Sequence, residues 1–344
     1  MNSVAFLLGR WSVTWPGMFA ALGAGCAMLL ALGLWVGRGR RPAALLWLFA
    51  AALPLGLVLG RLAHWYCHPM QYDSLAEALT DYLRGDFSLW GVFIGVLLAA
   101  VLFAASGLSA PPWELLDLLA PAAALGVAVG RLGALLDLSD RGKFALASPE
   151  LHRLPFSAFT VLTGEEGQWR FATFAFQSLY CLVLALALLA LLLWAGKRLE
   201  SGTLALFFAL FYGAGQILLD STRYDGDFFR FNGFIHVPQL LSALAAAAAM
   251  GVLAGRSIRR HGFRRIHAGL LLLALLCFAG SGGMEYYSQR YTGSYALCYG
   301  VMGLLLGLLC AAGVALWAWK PGKKADFPER IEQSERREDL TTSS

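Results

Sequence analysis

The sequence predicts an all-α, polytopic membrane protein of about nine spans, with its N-terminus outside and its C-terminus inside. Three observations carry that expectation. Of 344 residues, 58% are hydrophobic and only 14% charged, against about 25% charge in a soluble domain; mean hydropathy is +0.61. The apolar residues gather in runs of span length. Lysine and arginine fall in short clusters between alternate runs, which is the signature of topology.

Taken in chain order, a helix needs about 20 apolar residues to cross a hydrocarbon layer about 30 Å thick. Such runs lie near 17–36, 42–66, 88–108, 115–136, 174–195, 202–220 and 237–254, a core of seven spans over 17–255. Two more, 267–282 and 295–319, make a C-terminal pair over 256–319, of which 267–282 is the shorter. The inner loops then carry Arg38, Arg40 and Arg41, next Lys197 and Arg198, next Arg256, Arg259, Arg260, Arg264 and Arg265, with Lys320, Lys323 and Lys324 in the tail. Outer segments mix both signs, as in Asp73, Glu77, Asp81 and Arg84. Met1–Trp15 lacks the basic start and small-residue cleavage site of a signal peptide. Its Phe6, Leu7, Leu8, Trp11 and Trp15 suit an interfacial outer arm over 1–16. Segment 137–173, with Pro149, Pro155 and Gly164, is too polar to span and reads as a folded outer loop; 320–344 reads as a disordered cytoplasmic tail.

The net charge of +5 does not point to nucleic acid, because the basic residues sit between apolar runs and form no continuous patch. The six cysteines, Cys26, Cys67, Cys181, Cys277, Cys298 and Cys310, show no metal-ligand spacing, so neither a metal nor a cofactor is expected.

Ionisable residues inside spans are costly, at about 2.5–3.5 kcal/mol each on insertion scales, and each needs a reason. Arg61, near the outer end of its span, can snorkel. Arg131 lies among Gly126, Gly130 and Gly133, where small residues let a helix or ligand approach closely. A buried anion or a lipid phosphate explains it better than anchoring, since guanidinium offers a planar fork of donors. Tyr212, Gln216, Asp220 and Arg223 recur at helical spacing on one face. Asp225, Asp227 and Arg230 follow beside Phe228, Phe229 and Phe231, which suggests a wet, charged pocket at the outer interface. Asp117, Gln177 and Gln239 read as interhelical polar contacts. Among histidines, His64 and His68 read as interfacial, His236 can face the pocket of Arg223, and His261 and His267 read as solvated.

The order of motifs resembles the prolipoprotein diacylglyceryl transferases, bacterial inner-membrane enzymes. Trp15-Pro16-Gly17 resembles that family's Trp-Tyr-Gly, and Ser88 through Gly95 its Ser-Phe-His-Gly-Gly-Leu-Ile-Gly. Asp117-Leu118-Leu119-Ala120-Pro121 with Gly126 and Gly130-Arg131-Leu132-Gly133 resembles its signature helix. Tyr212 through Asp225 resembles its Tyr…Arg…Glu…Arg-x-Asp stretch, and Pro238 through Ser242 its Gln-Leu/Val-x-Ser start. The likeness covers about residues 1–255. Against the family pattern, Trp90 stands at a histidine, Ala134 at an asparagine, Ser139 (or nearby Asp137 or Asp140) at an acidic position, Gln216 at an arginine and Asp220 at a glutamate. The segment Ala175–Cys181 lacks the expected His and Glu.

The resemblance implies a transferase-like seven-span core in a bacterial cytoplasmic (inner) membrane. It implies transfer of a diacylglyceryl group from phosphatidylglycerol to the lipobox cysteine of a lipoprotein precursor. Arg131, Tyr212, Asp220 and Arg223 would be the catalytic residues, with Gly130, Gly133, Gln239, His236 and Asp225 binding substrate. The substituted positions keep open a degenerate relative that binds phospholipid or a partner membrane protein. A transporter fits least, as no inverted repeat or pair of broken spans is seen.

Overall fold

A computed structural model describes residues 4–9, 11–68, 71–80, 87–106, 111–137, 140–160, 167–196, 198–224, 228–229, 232–291 and 295–319. Among the described residues nine long helices dominate: α1 (Trp15–Val36), α2 (Pro42–Cys67), α4 (Leu89–Ala105), α5 (Pro112–Arg131), α7 (Thr173–Ala195), α8 (Thr203–Ser221), α9 (Val237–His261), α10 (Arg265–Arg290) and α11 (Tyr295–Ala318). The short helices α3 (Leu75–Thr80) and α6 (Pro149–His152) lie in connections. So do three two-stranded antiparallel hairpins: β1–β2 (Val4–Leu8, Trp11–Thr14), β3–β4 (Ser157–Thr160, Gln168–Phe171) and β5–β6 (Phe228–Phe229, Asn232–His236).

Eight helices have the length and apolarity to cross a bilayer. The ninth, α4, has 17 residues, the lower limit for a span, and the chain path shows that it runs the length of the bundle. Before α4, the Ser88 N–H donates to Gly60 O near the C-terminal end of α2. After it, Glu114 at the start of α5 pairs with Arg38 and Arg40 at the opposite end. All three hairpins and α3 therefore gather at one end, the hairpin end. The other, basic end holds Arg38, Arg40, Arg256 and Arg260, the last two paired with Glu200. Between the ends the surface is apolar: Leu29, Trp47, Leu193 and Trp194 are all more than two-thirds exposed, as contact with lipid requires.

Local chemistry starts and stops these helices. The Thr14 side chain accepts from Gly17 N–H to begin α1, with Pro16 in the first turn. Asp117 of α5 accepts from the N–H groups of Gly202 (2.6 Å) and Ala205 (3.0 Å), so one helix caps the start of another, α8. Helix α9 ends on Arg259, Arg260 and His261, where the helix dipole favours cations, and Gly262 stops it at φ 72°.

Two crossings are made backbone to backbone. A Cβ on Gly91 would meet Leu59 O at 2.3 Å, and one on Gly95 would meet Gly56 at 2.6 Å, which locks α4 onto α2. A Cβ on Gly23 of α1 would meet Gly126 O of α5 at 2.3 Å. Gly95→Leu is expected to cost at least about 1–3 kcal/mol of overpacking and to lower the melting temperature of the purified protein clearly. Gly25→Leu, where the added carbon meets nothing within 4 Å, should leave it unchanged; equal melting of the two variants would contradict the crossing.

Several expectations change. Arg61 does not snorkel: it is 1% exposed, donates from Nε to Ala78 O at 2.6 Å and lies over the rings of Tyr72 and Phe87. Its charge fastens α3 to the bundle. His267 is not solvated but fully buried; its Nδ1 accepts from Arg264 N–H at the start of α10, and its Nε2 lies 3.0 Å from Ser257 Oγ. The run read as 267–282 extends to Arg290. Within the segment 1–16 the described residues form the β1–β2 hairpin and the first turn of α1, with Phe6 and Leu7 exposed. The tail 320–344 lies outside the described residues.

Candidate active site

The hairpin end holds a buried polar cluster that begins at the end of α5. Arg131 is the last residue of that helix, and the chain then tightens into a 3-10 turn, Leu132–Leu135. Gly133 makes room for the start of α1, since a Cβ there would lie 2.7 Å from Pro16 Cα; Gly130 faces Ala20 of the same helix. Gly133 thus lets α1 approach, while at Gly130 the contact with Ala20 is an ordinary one. Arg131, pointing from this corner, donates through Nη1 to Asp140 Oδ2.

Asp140 is the centre of the cluster. Its other oxygen, Oδ1, lies 2.6 Å from Arg223 Nη2, so one carboxylate holds two guanidiniums. Among the described residues it is the single non-glycine with positive φ, at 56°. Aspartate tolerates that left-handed conformation better than most residues, and such backbone costs persist where the surroundings fix them. Burial alone would push the Asp140 carboxyl up, but Arg131 and Arg223 outweigh it and hold it below the usual carboxylate range.

The loop is laced to the end of α8. Lys143 N–H donates to Thr222 O at 2.8 Å, and Tyr224 N–H to Arg141 O at 2.8 Å. Arg141 and Arg170, both buried, hold the loop's own carbonyls: Arg141 bonds Asp137 O at 2.6 Å, and Arg170 bonds Gly142 O and Lys143 O. Sequence reasoning passed over these two arginines because nothing in a polar loop marks a guanidinium as buried.

From Arg223 the cluster continues inward. Its Nη1 lies 3.5 Å from Asp220 Oδ1, and Asp220 Oδ2 lies 2.6 Å from His236 Nδ1. Gln239 accepts from the His236 backbone N–H at 3.0 Å, closing the start of α9. Arg131, Asp220, Arg223, His236 and Gln239, expected from the sequence, are therefore brought together through Asp140. Asp225, Asp227 and Arg230 lie outside the described residues.

Tyr212 sits deeper, 2% exposed, within an aromatic layer. It stacks on Phe208 at 5.2 Å and meets Phe93 and Trp90 edge-on at 5.3 and 6.0 Å. Beside this layer Gln177 donates to Gln216 at 2.5 Å. The Trp90 indole N–H is buried without a hydrogen-bond partner, a costly arrangement that leaves a donor for a ligand oxygen. His64 and His68 stack on each other at 4.4 Å, and no group of three metal-ligating side chains occurs among the described residues.

A family model described as prolipoprotein diacylglyceryl transferase matches residues 3–254, well over half of the chain. The chain belongs to that family. Curated relatives named phosphatidylglycerol–prolipoprotein diacylglyceryl transferase include one from Bacillus licheniformis, 26% identical over 76% of this chain and 96% of the relative. Another, from Listeria innocua, is 25% identical over 75% and 91%; one from Pediococcus pentosaceus is 25% identical over 74% and 90%. The transferase match ends inside α9, so α10 and α11 lie beyond it. Within it, the Trp90 ring packs against Tyr212.

Proposed function

We propose that this protein transfers the diacylglyceryl group of phosphatidylglycerol to the cysteine thiol of a lipoprotein precursor. Beyond family membership, the observation that carries the reading is the pair of guanidiniums, Arg131 and Arg223, held on Asp140 at the hairpin end. In the reaction the thiol sulfur bonds the glyceryl carbon and the carbon–oxygen bond to phosphate breaks. Glycerol phosphate leaves with the electron pair, and the thiol proton passes to a base. Charge builds on the departing phosphate, so the strongest catalytic contribution is a fixed cation there. Arg131 has five N–H donors and spends one on Asp140, which leaves a fork for phosphate oxygens. Tyr212 and Trp90 offer donors at the depth of the glycerol backbone. His236, oriented by Asp220, is the base this cluster offers.

The placement follows from the same reading. The chain sits in a bacterial cytoplasmic membrane with the N-terminus and hairpin end outside, where precursors emerge, and the arginine-rich end inside. Phosphatidylglycerol and the lipobox segment of the precursor are its partners, and the segment 17–255 is the transferase core.

Incubating purified protein with headgroup-intact phosphatidylglycerol labelled in its acyl chains, together with a lipobox peptide, tests this. Label should pass to the cysteine peptide and not to its serine counterpart. A second reading, a relative that binds the lipid without turnover, is favoured by Trp90 and by Gln216 pairing with Gln177 where the family has ionisable groups. Binding of phosphatidylglycerol with no label on the peptide would decide for it.

A further inference from the structure

A carboxylate from beyond the family's matched segment reaches the cluster. Glu285 stands on α10, 4% exposed, on a polar stripe with Ser281 and Ser288 at spacings of four and three. Its Oε2 accepts from Ser221 Oγ and, at 3.3 Å, from Gln239 Nε2. Its Oε1 accepts from Gln289 Nε2 at 2.5 Å and lies 3.9 Å from Lys143 Nζ. An acid on a lipid-crossing helix is costly unless it is used. Simple helix-to-helix bonding needs any polar neighbour, yet three of these four partners belong to the site. Ser221 follows Asp220, Gln239 holds the His236 backbone, and Lys143 lies three residues past Asp140.

We propose that Glu285 is a positioning residue for the transfer reaction, supplied by the appended helix pair. It balances Lys143 and, through Gln239 and Ser221, holds the His236–Asp220–Arg223 arm toward the lipid headgroup. This rests on the transferase reading above. Among the described residues Lys143 has one ion-pair partner, Glu285. Removing the Glu285 charge leaves a surplus cation beside an anionic headgroup. The lipid then binds more tightly, while the His236–Asp220–Arg223 arm loses the alignment that the transfer step needs, and the rate falls for that reason.

Full-length protein and its Glu285→Gln and Glu285→Asp variants would be compared in two measurements. One is transfer from phosphatidylglycerol to the lipobox peptide, giving kcat and KM. The other is equilibrium binding of fluorescent phosphatidylglycerol and phosphatidylcholine in detergent. Glu285→Gln is expected to lower kcat at least about tenfold, as loss of alignment does, without raising KM for the lipid. It should tighten phosphatidylglycerol binding by about threefold and leave phosphatidylcholine binding as it was; Glu285→Asp should recover most of kcat. Wild-type kcat in Glu285→Gln overturns the proposal. So does a joint loss of kcat and lipid binding that aspartate fails to restore, which is what a loosened bundle gives. If the wild-type protein transfers nothing, the transferase reading fails by itself, and unchanged phosphatidylglycerol binding in Glu285→Gln would still reject the role of Glu285.

Discussion

Replacing Arg131 with alanine is expected to lower kcat/KM for diacylglyceryl transfer by about 10²–10³-fold, the usual effect of deleting one fixed donor to a developing negative charge. Arg131 is placed by the end of α5 and by one bond to Asp140, and among the described residues the rest of its guanidinium has no other acceptor. Alanine removes that fork and leaves Asp140 with Arg223 alone. Two losses then overlap, one in the chemistry and one in the bundle; the second stays below the cost of about 3–5 kcal/mol for a buried charge left alone, because Arg223 remains on Asp140. Arg131→Lys separates them. An ammonium keeps the charge on Asp140 but presents a point in place of a planar fork, so the melting temperature should recover while most of the rate stays lost. Transfer by Arg131→Ala within threefold of wild type would remove this side chain from the mechanism.

Asp140→Asn should do comparable damage by the opposite route. The two guanidiniums lose their shared counter-charge and repel across the space it filled, so both transfer and melting temperature fall. The pH dependence has a definite sign. The Asp140 carboxyl titrates below its usual range in the folded protein because Arg131 and Arg223 outweigh burial. Its stabilisation is therefore fully present above the unfolded value of about 3.9 and is lost as pH falls through the depressed folded value. Thermal unfolding of wild type and Asp140→Asn should differ by a constant amount from neutral pH down to about pH 5. The gap should close only in stronger acid. A gap that changed between pH 6 and 8 would mean that another group governs the cluster.

How far the sequence disclosed this site depended on where each residue lay. Arg131 stood out because a guanidinium among glycines in an apolar run has few explanations. Asp220 and Arg223 stood out because helical spacing fixes which residues share a face. Asp140 was one of several acids in a loop, and no periodicity tells which of them turns inward; a backbone at positive φ decides it. Glu285 was missed because the apolar run was closed at residue 282, within the stretch Ser281-Gly282-Gly283 that the helix in fact continues through. The signal was present in Ser281, Glu285 and Ser288, polar residues spaced to one side of a helix. Arg61 and His267 misled for a common reason. Position near a span end suggests water, whereas Arg61 is covered by the rings of α3's neighbourhood and His267 by its own helix start.

The glycine crossings constrain how a two-tailed lipid can enter. Where α2 meets α4 and α1 meets α5, main chain comes onto main chain at the glycines, which leaves little there that can yield. Between the pairs the contact is of another kind: Ala31 and Trp35 of α1, Leu45 and Leu48 of α2, Ala99 of α4 and Leu115 of α5 meet through their side chains. Such layers can slide and re-seat at modest cost. An opening from the bilayer toward the Arg131 cluster is therefore expected between these helix pairs, along the side-chain seams, and not within a pair.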